Sequence, residues 1–191
     1  MSETNNWTSF ETERLRVSRV QDWFWQDKTG LLQAVLGILT AKASLGLPDD
    51  WQGIDNEEKA ESWLTELLNH SELSLVSLKE VAETGETEEK GESKQSIGLL
   101  VLHRDDPAYQ VWQLGYVFAE SHWGKGYATE LLQGLILNLA NVSLSERPHA
   151  LLAGVEADNL ASIRVLEKCD FHRLDKHHSG STLFYEFVPA T

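Results

Sequence analysis

The chain has 191 residues, 41% hydrophobic and 24% charged, proportions that suit one ordinary folded domain and exclude wholesale disorder or a collagen-like repeat. A formal net charge of −14 argues against nucleic acid or an anionic membrane surface as the main partner, and would favour a cationic acceptor such as an amine. The polar, acidic opening MSETNNWTSF lacks a secretory pattern and no later apolar run is bilayer-length, so the expectation is a cytoplasmic protein with no membrane partner.

Glu13 to Val20, ERLRVSRV, combines β-branched residues with partial alternation and reads as a first strand. From Lys28 to Leu45, apolar residues at Leu31, Leu32, Val35, Leu36 and Leu39 have the three-and-four spacing of an amphipathic helix, which Gly46 and Pro48 close. A second helix is predicted from Asn56 to Asn69, its apolar stripe running from Ala60 to Leu68 behind the acidic first-turn residues Glu57 and Glu58. The period then changes to two. Leu73 to Leu78 and Ser96 to Leu102 are strands, joined by the acidic stretch 79–95, which has almost no apolar residue after Val81 and is expected to be a flexible hairpin excursion.

After the turn signal Asp105 to Pro107, VWQLGYVF from Val111 to Phe118 is a central strand. The strongest helix follows, starting at about Gly124, with Tyr127, Ala128, Leu131, Leu132, Leu135, Ile136 and Leu139 on one broad face. His149 to Glu156 reads as a buried parallel strand, and Asn159 to Lys168 as a helix capped by Asp158 or Asn159. The lone cysteine, Cys169, excludes an internal disulfide and reads as a small buried apolar residue. Two last strands, about Phe171 to Lys176 and Thr182 to Val188, turn through HSGS. His172, His177 and His178 make no metal site, because adjacent strand residues point to opposite faces and no carboxylate stands at ligand spacing.

The chemistry concentrates where strand Val111 to Phe118 meets the next helix through WGKGYATE, Trp123 to Glu130. Glycines let backbone approach an anion closely, and the unpaired amides of a first helical turn point outward with the positive end of the dipole behind them. Gly124, Lys125, Gly126, Tyr127, Ala128 and Thr129 supply such amides. The spacing fails the P-loop pattern, since Lys125 lies between the glycines. It also fails the dinucleotide fingerprint: Thr129 stands where a third Gly or Ala belongs, and Glu146 precedes the next strand instead of ending it.

What remains is the acyl-coenzyme A signature of the GNAT acetyltransferases: Gln or Arg, two residues, Gly, one residue, then Gly or Ala. WGKGYATE resembles it with Trp123 at the Gln/Arg position, and after an LGY strand it is similar to the branch of ribosomal-protein N-terminal acetyltransferases. ETERLRV, Glu11 to Val17, resembles that branch's opening strand, and DNLASIRVLEKCDF, Asp158 to Phe171, its second coenzyme segment. Asp170 replaces the usual Gly after that helix, where a left-handed residue is expected, at a small cost in stability. The resemblance covers Glu11 to Val188.

It implies an α/β fold with a mixed, mostly antiparallel sheet of six or seven strands, helices on both faces and a splayed central strand pair, all in one domain over residues 1–191. It also implies acetyl-CoA as co-substrate, without a metal, and transfer of the acetyl group to a primary amine of a protein N-terminus or a small molecule by a monomer or homodimer. By the same resemblance Asn159 contacts the pantetheine arm, Val117 or Phe118 pairs with its amides, and Ser162 faces the thioester. Asn159 is equally a good helix cap and Ser162 a plain early helix residue. Candidate bases for the amine are Glu120, His122 and Glu156; Ser162 would assist the departing thiolate. The acceptor site is expected in Gln21 to Trp51, where Trp23, Phe24, Trp25 and Trp51 either wall it or belong to the core. A non-catalytic coenzyme-binding module of the same fold is the rival reading.

Overall fold

The computed structural model describes residues 6–20, 27–79, 95–104 and 110–190. The stretch 80–94, residues 105–109 with the expected turn, and the aromatic residues Trp23 to Trp25 lie outside them. The described chain runs β1 (Phe10–Glu11), β2 (Leu15–Arg19), α1 (Lys28–Ile38), α2 (Glu57–His70), β3 (Ser71–Leu78), β4 (Ser96–His103), β5 (Val111–Phe118), α3 (Tyr127–Ala140), β6 (Ala150–Glu156), α4 (Leu160–Lys168), β7 (His172–Ser179) and β8 (Thr182–Phe187).

These strands form one eight-stranded sheet in the order β1-β2-β3-β4-β5-β6-β8-β7. Every neighbouring pair is antiparallel except β5 and β6. That parallel pair holds register only at Val111↔Ala150, Trp112↔Leu151 and Gln113↔Leu152. Beyond Gln113 the two strands separate, while β5 stays paired with β4 up to Gly98↔Phe118. The sheet therefore opens at its middle toward the carboxyl ends of β5 and β6.

Alternation along the strands divides the apolar residues between two cores. Trp112, Leu114 and Phe118 face α3 and α4, packing with Leu131, Leu132, Leu135, Leu139 and Leu166. Val117 points the other way, among Leu31, Val35, Ile38, Trp63 and Leu64 of α1 and α2. Trp51 is core, 7% exposed and packed edge-on against Trp63 at 5.0 Å between ring centres.

Two helix boundaries differ from the periodicity reading. Helix α1 stops at Ile38 rather than continuing to Leu45. Thr40 Oγ1 accepts from the Ala43 amide at 3.2 Å and donates to Glu120 at 2.7 Å, so a local turn and a partner eighty residues away win over the apolar repeat. Helix α3 begins at Tyr127, not at about Gly124, because Gly124 and Gly126 sit at φ 71° and 81°, outside helical space.

Candidate active site

The cradle follows directly from β5. A single turn of 3-10 helix, Glu120–His122, leads into Trp123, whose indole Nε1 donates to the Phe118 carbonyl at 2.7 Å and pins the loop back onto the strand end. This is a role for the aromatic at the Gln/Arg position that spacing alone does not reveal. With Gly126 as a left-handed cap that offers no side chain, the amides at the start of α3 have no hydrogen-bond acceptor among the described residues. Gly124 to Thr129 thus stand together on the carboxyl side of the sheet opening, in the arrangement of glycines and helix start that suits an anion.

Strand alternation decides which backbone groups border that opening. The Ala119 amide donates to Ile97 of β4, so odd-numbered residues, Val117 among them, spend their hydrogen bonds on β4. Phe118 and Tyr116 turn theirs toward the gap. The Phe118 carbonyl is taken by Trp123, which leaves its amide and the Tyr116 backbone on the free edge.

From the opposite side comes the start of α4. Asn159 caps the helix, its Oδ1 accepting from the Ser162 amide at 3.1 Å, so the plain cap role exists whatever else the side chain does. Ser162 lies half-buried beside Tyr116. The Tyr116 hydroxyl is buried, with the Ser162 hydroxyl as its polar neighbour. Burial pushes its pKa up to about 12, with the nearby Ser162 hydroxyl offsetting part of the rise. Cys169 is buried, its thiol pushed up to about 11 by desolvation and aimed at the Thr129 carbonyl at 3.7 Å, which suits an inert packing residue.

Two carboxylates flank the mouth. Glu120, just past β5, accepts from Thr40 and pairs with Lys42 at 2.9 Å; the Lys42 bond first, then Thr40, lowers its pKa below the ordinary glutamate value. Glu156, at the end of β6, accepts from Ser181 and Thr182, and both lower its pKa. It also approaches the turn after α1, where a side chain at Gly46 would meet its methylene at 3.9 Å. His122 has a lowered pKa from burial and from Lys125, which favours the neutral imidazole. Glu120 and Glu156 are held as anions and His122 favours the neutral imidazole, so all three stand in proton-accepting forms.

Comparison with known proteins agrees with this geometry. Residues 42–172 match the model of the acetyltransferase (GNAT) domain family. The probable N-acetyltransferase YjcK of Bacillus subtilis (strain 168) is 41% identical over 66 residues, 35% of each chain. The chain thus spans about a third of the length of the curated relatives it matches, 34% and 35%. Among solved structures, the ribosomal L7/L12 alpha-N-protein acetyltransferase RimL in complex with coenzyme A superposes with TM-score 0.65 at 17% identity, over 93% of this chain and 95% of that one. The spermidine/spermine N-acetyltransferase SpeG of Vibrio cholerae gives 0.62 at 14% identity, over 93% and 95%. At such identities these structures establish the shared fold.

Proposed function

We propose that this chain, which belongs to the GNAT acetyltransferase family, moves an acetyl group from acetyl-CoA to a primary amine by direct attack of the amine on the thioester. The observation that carries the reading is the sheet opening between β5 and β6, bordered at one end by the amides of 124–129, without acceptors among the described residues, and along its sides by Tyr116, Asn159 and Ser162. A pyrophosphate suits the glycine turn, and an amide-bearing arm suits the free edge of β5 at Phe118, the role Val117 cannot share while β4 occupies its backbone.

The acceptor needs a neutral nitrogen, and an α-amine near 7.7–8.0 gives one far more readily than a lysine-like amine near 10.4. Glu120 and Glu156, kept ionised, draw a protonated amine to the mouth, where Glu120 takes the proton through water. Ser162 supports the departing sulfur by hydrogen bonding. RimL, a protein N-acetyltransferase, and SpeG, a spermidine/spermine N-acetyltransferase, share this fold, so fold alone does not choose between a protein N-terminus and a small polyvalent amine. Glu156, whose partners Ser181 and Thr182 are uncharged, is the carboxylate at the mouth that favours a cationic acceptor of either size.

The test is acetyl-CoA binding by calorimetry together with thiol release across a panel of amines and N-terminal peptides. Binding with release from at least one acceptor is expected. Binding without any release would reduce the protein to a coenzyme-binding module, and no binding would overturn the reading.

A further inference from the structure

The glycine turn is not free-standing. The residues joining β1 to β2 lie against it, and Arg14, more than a hundred positions earlier in the chain, is fixed there at both backbone groups. Its amide donates to Glu130 Oε1 at 2.8 Å and its carbonyl accepts from the Lys79 amide at 2.8 Å. The guanidinium then reaches the loop: Nε donates to Glu130 Oε2 at 2.6 Å, Nη1 donates to the Lys125 carbonyl at 3.1 Å, and its plane covers the Tyr127 ring at 4.5 Å. Thr12 adds a hydroxyl bond to Glu130 at 2.6 Å. Gly134 permits this approach, since a Cβ there would stand 2.5 Å from the Thr12 methyl and 2.8 Å from the Phe10 ring.

Two consequences follow. In a trans peptide the carbonyl and the next amide point in opposite directions, so a guanidinium holding the Lys125 carbonyl turns the Gly126 N–H away from the β1–β2 segment. Glu130, in the first turn of α3, would otherwise compete with an anion for the positive end of the helix; the Thr12 and Arg14 bonds hold its charge on the opposite side. Burial opposes its ionisation, but those bonds prevail and its pKa falls below the ordinary glutamate value.

We infer that Arg14 is a positioning residue for the donor site, fixing the Lys125–Gly126 peptide so that the glycine turn presents its amides to the pyrophosphate of the acyl donor. The inference rests on the acetyl-CoA reading above. A lysine in its place keeps a charge but cannot span Glu130 and the Lys125 carbonyl together.

The experiment compares dissociation constants for acetyl-CoA and for S-acetylpantetheine, which lacks the pyrophosphate, in the wild type, Arg14→Met and Arg14→Lys, with melting curves as a check on folding. Expected is about a tenfold weakening toward acetyl-CoA in Arg14→Met, a smaller one in Arg14→Lys, and no change toward S-acetylpantetheine. Unchanged acetyl-CoA affinity, or equal weakening toward both donors, overturns the positioning role. If Arg14→Met does not fold, Arg14→Lys carries the same comparison. A wild type that binds neither donor overturns the functional reading first, and this inference with it.

Discussion

On the proposed reading, the backbone does the recognising at the donor end of the crevice and side chains do it at the acceptor end. The turn 124–129 depends on two left-handed glycines, a helix start and a strand that has lost its neighbour, none of which needs a particular side chain at the ligand. The mouth near Glu120 and Glu156 depends on Thr40, Lys42, Ser181 and Thr182, brought in from other parts of the chain. Backbone recognition suits a donor that does not vary. Side-chain recognition can be altered one residue at a time, which suits acceptors that do.

The largest effect expected from breaking this contrast is at Gly126. A β-branched residue at φ 81° costs about 1–2 kcal/mol in strain, and displacing the turn adds the loss of charge-assisted amide bonds worth about 1.5–3 kcal/mol. Gly126→Val should weaken acetyl-CoA binding by about a hundredfold in calorimetry. An affinity within about threefold of wild type would show that the donor is not held by this turn.

Acceptor-end changes should leave donor binding alone. Glu120→Gln removes the partner of Lys42 while Thr40 can still donate to the amide oxygen, so the KM for the amine should rise several-fold with acetyl-CoA affinity unchanged. The pH profile sharpens this. Both carboxylates have lowered pKa values and stay ionised at neutral pH, so kcat/KM should climb toward alkaline pH as the amine itself loses its proton. A plateau near 8 would indicate an α-amine, and one near 10 a lysine-like or polyamine nitrogen. An acidic limb below the ordinary histidine value of about 6.5, lost in His122→Gln, would instead make His122 the base.

The same contrast explains what could be read from sequence. Strand, glycine turn and helix are consecutive from Val111 through WGKGYATE, and the backbone chemistry of glycine and helix starts is local, so the turn and the parallel pair beside it were legible. The stop of α1 at Ile38 was not, because Thr40 serves Glu120 from eighty residues away. Arg14 was read as strand sequence only, and its contacts with Lys125 and Glu130 have no local signal. Trp123 looked like a departure from the pattern until its indole was found on the Phe118 carbonyl. Tyr116 drew no notice, since a strand tyrosine is usually core, and its buried hydroxyl meets Ser162 only because the fold brings α4 beside β5.

The smallest expected effect lies at the far end of α4. Asp170 has φ 60°, the left-handed conformation that closes α4. The Phe171 amide reaches the Leu166 carbonyl at 3.1 Å and the Asp170 amide reaches Glu167 at 3.3 Å, the pair of bonds of a Schellman ending, with Phe171 and Leu166 both in the same core. Glycine relieves the strain of a Cβ there, about 1 kcal/mol for a residue that tolerates the region, while its extra freedom in the unfolded chain takes back roughly half. Asp170→Gly should therefore raise the unfolding midpoint by about 1–2 °C. Because the Asn159 and Ser162 end of α4 is set by its own cap, acetyl-CoA affinity should not move. A change in affinity larger than the change in stability would mean that the helix shifts as a body, and that the donor end is less rigidly preset than its backbone geometry implies.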